Sequence, residues 1–169
     1  MKVTSQIICD IIQNCMGIST DQIWIYNQRR AIPEDERMYI TVGILGVKPY
    51  GNNNHVTYDT TSTMTDNISQ YMQEMISIDV MSYTTEAIER YTEVMGSIAS
   101  TYSAQTQEAL GLKIATIPST INDVSAVEGA TLLYRISLTL NVLRKYDMLI
   151  TSGSFYDTFR GATVTNTEH

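Results

Sequence analysis

The sequence predicts an α+β fold, a mainly antiparallel sheet of about four strands with helices packed on one face. Three observations carry that reading. Residues 131–143 alternate for thirteen positions, with Leu132, Tyr134, Ile136, Leu138, Leu140 and Val142 on one side and Leu133, Arg135, Ser137, Thr139 and Asn141 on the other. That is the period of a strand with one buried and one polar face. Residues 3–16 instead repeat apolar side chains at helical spacing. The element order (helix, strand, strand, two helices, strand, strand) holds few βαβ units, so nothing forces the sheet to be parallel. A chain of 169 residues can bury one good core, and a single domain over 1–169 is expected.

Each element has its own reason. Ile7, Ile8, Ile11, Ile12, Cys15 and Met16 form one helical stripe, which Thr4 or Ser5 can cap and Gly17 can end. Residues 21–27, DQIWIYN, are aromatic and β-branched enough for a short strand or an extended anchor. A loop follows at 28–37, where Pro33 and the charges Arg29, Arg30, Glu34, Asp35, Glu36 and Arg37 predict exposure. Residues 38–47 alternate as a strand. The stretch 49–69 has no core-forming period, and its Gly, Asn, Thr and Asp content marks a long loop or a loose hairpin arm. A second strand is expected at 70–82. Thr84 or Thr85 then caps a helix through Ala87, Ile88, Tyr91, Val94, Met95 and Ile98, and a further helical piece, 102–110, stops at Gly111. Residues 112–118 read as a third strand ending at Pro118. After Asp147 strong patterning is lost apart from Phe155-Tyr156-Asp157-Thr158-Phe159 and a short run at 163–165, and a flexible C-terminal tail is expected.

Composition excludes more than it identifies. Charged residues are only 17% of the chain, with Thr, Ser, Asn and Gln in their place, a surface suited to contact with other subunits. The formal net charge of -7 argues against a protein whose business is gripping nucleic-acid phosphates. Cys9 and Cys15, six positions apart on one helix, point in different directions and read as small buried thiols. The start of the chain lacks the uninterrupted apolar stretch of a signal peptide, so a soluble protein of intracellular origin is expected.

Catalytic signals are missing. His55 and His169 are the two histidines, too few for a metal site of imidazoles, and neither a phosphate-binding loop nor a nucleophile elbow occurs. Gly43-Ile44-Leu45-Gly46 lies in a strand and reads as close packing or a bulge. Glu34, Asp35 and Glu36 are consecutive acids in an exposed loop, expected to stay solvated or to pair with arginines of a neighbour. Asp79 reads as a solvent- or interface-facing strand residue rather than a catalytic carboxylate. No enzyme activity and no cofactor are expected. Tyr supplies 11 of the aromatic residues, and its rigid ring with a polar end suits surfaces that alternate between wet and buried. Tyr26, Tyr39, Tyr50 and Tyr58 fit ordinary boundary positions and contact roles equally. Phe155, Tyr156 and Phe159 cluster outside the core elements and read as contacts.

Taken in order, several segments resemble the neck or tail-terminator proteins of bacteriophages. These are Gln22–Pro33, Tyr39-Ile40-Thr41-Val42-Gly43, Tyr50-Gly51-Asn52-Asn53, Met75–Ser82, Gln105-Thr106-Gln107-Glu108-Ala109 and Phe155–Phe159. The resemblance spans about residues 20–160. It implies a virion subunit at the top of the tail, assembled in the host cytoplasm, that closes into a homohexameric ring. Such a ring ends the tail, meets the head-side connector or stopper and the tail-tube protein, and lets DNA pass its lumen without specific binding or any membrane contact. A head-completion stopper or a tail-tube protein of the same particle is the alternative. The chain departs from the family pattern at Asn54, His55 and the Thr-rich stretch beyond, so the family's loop contacts are not carried over there. The expected subunit contacts are Arg29, Arg30, Glu34, Asp35, Glu36, Arg37, Tyr50, Tyr58, Phe155, Tyr156 and Phe159.

Overall fold

The apolar stripe of residues 7–12 does build a helix, α1 (Thr4–Met16), and Gly17 ends it in the left-handed region at φ 64°, where a Cβ would be strained. Val3 rather than Thr4 or Ser5 takes the N-cap position, and the Thr4 hydroxyl instead accepts a hydrogen bond from Arg144 Nη1 at 2.9 Å. The computed structural model describes residues 3–26, 32–58, 64–115, 117–128 and 131–152. The further elements are β1 (Ile23–Ile25), β2 (Tyr39–Tyr58), β3 (Met64–Ser82), α2 (Glu86–Ile98), α3 (Thr101–Leu110), β4 (Leu112–Ile114), β5 (Thr120–Asp123), β6 (Ala126–Glu128) and β7 (Thr131–Ser152). Thr85 is the N-cap of α2. Ser100 caps α3 by accepting from Ser103 N, and Gly111, at φ 63°, ends it.

The expected sheet of about four antiparallel strands with helices packed on one face is not the sheet that forms. Seven strands make a mixed sheet in the order β1-β2-β3-β7-β4, with β5 and β6 also paired to β7. Two features separate expectation from outcome. The first is β1, which runs parallel to β2 in the register Ile23↔Ile40, Trp24↔Thr41 and Ile25↔Val42. Its connection to β2 is long enough to permit that sense. The second is β7. Its edge away from β3 is shared by β4 (Leu112↔Arg144 to Ile114↔Val142), β5 (Thr120↔Thr139 to Asp123↔Ile136) and β6 (Ala126↔Leu133 to Glu128↔Thr131). A strand has two edges and β3 holds one, so the three short strands lie in tandem along the other.

By packing, the chain divides into two compact units, Met1–Lys48 with Gln73–Arg144, and Pro49–Met72 with Lys145–His169. Strands β2, β3 and β7 each contribute residues to both. The three described helices belong to the first unit.

The first unit has a continuous core. Alternate residues Ile40 and Val42 of β2, Ile76, Ile78 and Val80 of β3, and Leu138, Leu140 and Val142 of β7 join Ile7, Ile8, Ile11 and Ile12 of α1 and Ala87, Val94 and Ile98 of α2. Burying each of the larger side chains stabilises the fold by about 1.5–3 kcal/mol relative to exposure. The other side of β2 is also partly closed: Trp24 and Tyr39 are buried, their rings 5.6 Å apart and tilted. Gly43 passes close to Tyr26. A Cβ on Gly43 would lie 3.1 Å from the Tyr26 Cβ, so glycine here permits close packing.

The second unit, over its described residues, is made of β2 residues 49–58, β3 residues 64–72 and β7 residues 145–152. Its strands hold together by pairing more than by burial: the side chains described in its β2 and β7 segments are exposed apart from the half-buried Tyr146.

Candidate interaction surface

In the second unit β3 is the middle strand. On one side the Tyr50 ring meets the Tyr71 ring at 5.9 Å, Asn54 Nδ2 donates to Asp66 Oδ2 at 3.3 Å, and the Thr57 hydroxyl donates to the Thr65 carbonyl at 3.3 Å. On the other side Ser69 Oγ donates to Asp147 Oδ1 at 2.6 Å. Lys145 Nζ lies 2.9 Å from the same carboxylate oxygen. The Ser69 hydroxyl, and after it the Lys145 ammonium, hold the Asp147 carboxyl below the usual range.

Beside these polar contacts stand large apolar side chains in water. Leu149 is 65% exposed, Met148 and Tyr50 52%, and Ile150 43%. Successive residues of a strand point to opposite faces, so Met148, Leu149 and Ile150 leave apolar groups on both faces of β7. Scattered exposed apolar residues are ordinary on a protein surface; here three follow one another on a single strand, with Met148 and Ile150 on one face and Leu149 on the other. This is the feature that sequence reasoning missed. The three consecutive apolar residues after Asp147 were its visible signal.

The expected contact residues divide by location. Arg29, Arg30, Phe155, Tyr156, Phe159 and the Tyr58 side chain lie outside the described residues. Tyr50 is on the exposed sheet of the second unit. Glu34, Asp35, Glu36 and Arg37 belong to the first unit, where the structure places two of them in a network within the chain. Arg37 Nε donates to Asp35 Oδ2 at 2.9 Å, its Nη1 donates to Asp21 Oδ2 at 2.9 Å, and the Tyr39 hydroxyl donates to Asp35 Oδ2 at 2.7 Å. The Tyr39 hydroxyl first and Arg37 second lower the Asp35 pKa; Ser19 and then Arg37 lower that of Asp21. Asp35 and Arg37 therefore find partners in their own chain; the acids of this loop were expected to stay solvated or to pair with arginines of a neighbour. Glu34 and Glu36 are exposed. This network pins the end of the loop to the start of β2 and to the segment before β1.

Asp79, expected to face solvent or an interface, is buried within the chain. It is 4% exposed, and its Oδ2 accepts from Arg135 Nη2 at 2.7 Å. The pair joins β3 to β7, with Ser77 Oγ 3.5 Å from Ser137 Oγ beside it.

The cysteines differ from each other and one differs from expectation. Cys9 is buried, and burial pushes its thiol pKa up to about 12, which keeps it protonated and unreactive. Cys15 is exposed, with its Sγ 3.2 Å from Ser100 Oγ. Among the described residues no three His, Cys, Asp or Glu side chains come together as metal ligands, and no helix is long and apolar enough to cross a membrane. Compared with protein-family models and with curated proteins, the chain shows no match.

Proposed function

We propose that this chain is a structural, non-catalytic subunit that works by self-association, and that it forms a ring, six subunits in number, ending a phage tail and joining it to the head-side connector. The apolar side chains that stand exposed among the described residues of the second unit support the self-association. A three-stranded sheet exposing Tyr50, Met148, Leu149 and Ile150 exposes surface that association removes from water, at roughly 25 cal/mol per Å² of apolar area. The low content of charged residues supports the same reading. The place in the virion rests on the ordered resemblance of residues 20–160 to neck and tail-terminator proteins.

Two experiments test the two parts. Native mass spectrometry of the purified chain should give a mass six times that of the monomer; a monomer at every concentration counts against the ring. Particles produced without the chain should show DNA-filled heads lacking joined tails, or tails of uncontrolled length. Complete, infectious particles would remove the virion role.

A further inference from the structure

Polar contacts hold α3 to the first unit more than burial does. Of its ten residues only Ser103 is buried, and its two large apolar side chains, Tyr102 and Leu110, are each 43% exposed. By contrast, α1 buries Ile7, Ile8, Ile11 and Ile12. A helix as short as α3 is marginal in water on its own and takes its stability from tertiary contact. For α3 that contact runs through side-chain hydrogen bonds. Ser100 Oγ accepts from Ser103 N at 3.1 Å. Gln107 Nε2 donates to Ser103 Oγ at 3.0 Å, and Gln107 Oε1 accepts from the backbone N–H of Ile114 at 2.7 Å.

The direction of that last N–H gives the bond its meaning. The N–H of Ala115, the residue after β4, donates to the Asn141 carbonyl of β7. Successive N–H groups along an extended chain alternate between its two edges, so the N–H of Ile114 leaves β4 on the edge away from β7. There the Gln107 carboxamide oxygen stands where the carbonyl of a further strand would stand. Covering an edge with a helix is one way in which sheets are closed against unwanted pairing. Leu112 and Ile114 of β4 are part of the buried core, whereas the helix that caps their edge contributes almost nothing to it.

From this arrangement we infer that α3 is an opening guard on the outer edge of β4, which unfolds locally while the core stays intact, with the Gln107 carboxamide as its latch. Closed, the guard withholds the Ile114 N–H from any other acceptor; open, it presents that group to one. The connections favour local unfolding over a rigid swing. Gly111 alone separates α3 from β4, and Ala99 and Ser100 alone separate it from α2, so neither end leaves the intact helix room to move away. Unfolding it exposes little apolar surface, and elements with few buried apolar contacts open at the lowest free energy. Both α3 and β4 lie in the first unit, so the guard operates whether or not the second unit associates.

The test is amide hydrogen exchange resolved by NMR. In the native chain the amides of residues 105–110 and of Ile114 should exchange as one group, about tenfold or more faster than those of Ile11 and Ile12 in α1. Gln107→Met keeps the side chain's length and a similar helix propensity but removes both hydrogen bonds. It should speed exchange across residues 105–110 about fivefold and leave Ile11 and Ile12 unchanged. Ser103→Ala, which frees the other end of the carboxamide, should act in the same direction. Gln107→Glu should stay close to native, because its carboxylate still accepts from Ile114 and can accept from the Ser103 hydroxyl. Amides of α3 as slow as those of Ile11 and Ile12 in the native chain would overturn the guard. Local opening at the same rate in Gln107→Met and the native chain would overturn the latch, as would an acceleration that Ile11 and Ile12 share.

Discussion

Strands β2, β3 and β7 serve two regions of this molecule under opposite conditions. In the first unit their alternate residues are sealed against α1 and α2, and Ile40, Val42, Ile76, Ile78 and Val142 are fully buried. In the second, β2 and β7 carry mostly exposed side chains and β3 mostly half-buried ones, and side-chain hydrogen bonds from Asn54 to Asp66 and from Ser69 to Asp147 supplement the strand pairing. The difference separates the source of stability from the proposed surface of association. The first unit is where burial stabilises the chain; the second, over its described residues, exposes Tyr50, Met148, Leu149 and Ile150, which suits association more than isolated folding.

Substitutions should separate the two regions. The largest effect on stability is expected from Ile78→Ala in the core, about 2–5 kcal/mol in chemical denaturation. Asp79→Asn, which weakens the tie to Arg135, should cost about 1–2 kcal/mol; Arg135 is partly exposed, so the guanidinium left behind can reach water. That variant should still assemble, because the tie belongs to the first unit and the proposed assembly surface to the second. Leu149→Ser in the second unit should change the stability of the isolated chain by no more than about 0.5 kcal/mol and yet impair assembly. A Leu149→Ser protein as destabilised as Ile78→Ala would erase the distinction between the regions.

A smaller effect concerns the loop network. Asp35 and Asp21 have folded-state pKa values below their ordinary values. Their contribution is therefore fully present above about pH 3.9, the unfolded value, and is lost as pH falls through the depressed folded value. Trp24, whose ring lies 5.6 Å from that of Tyr39, reports the change. Its acid transition should lie below about pH 3.9 in the native chain, and Arg37→Gln should move the midpoint upward.

Much of the first unit was legible because burial writes a period into the sequence. The stripe of α1, the glycines at 17 and 111 and the alternation at 131–143 each follow from one covered face. The sheet's true extent was not legible for the complementary reason. Residues 49–58 and 64–69 are strands whose described β2 side chains are all exposed, so no apolar alternation records them, and their pairing with each other and with β7 makes them strands. The described side chains of β5 and β6 are likewise exposed, and their register on β7 was invisible in a stretch without pattern. The parallel sense of β1 cannot be read from three residues. Of the candidate surface, Tyr50 was identified from its residue type, whereas Met148, Leu149 and Ile150 fell where the long alternation fades. The partnership of Asp79 with Arg135 joins positions far apart in the chain, and only the fold brings them within 2.7 Å.

The central claim is that the sheet of the second unit is the assembly surface. Sedimentation velocity across a wide range of concentrations, on the native chain and on a Met148→Ser, Leu149→Ser, Ile150→Ser variant, tests it most directly. The account predicts a concentration-dependent assembly for the native chain and a folded monomer for the variant. An identical assembly in both, or a native chain that never associates, would contradict it.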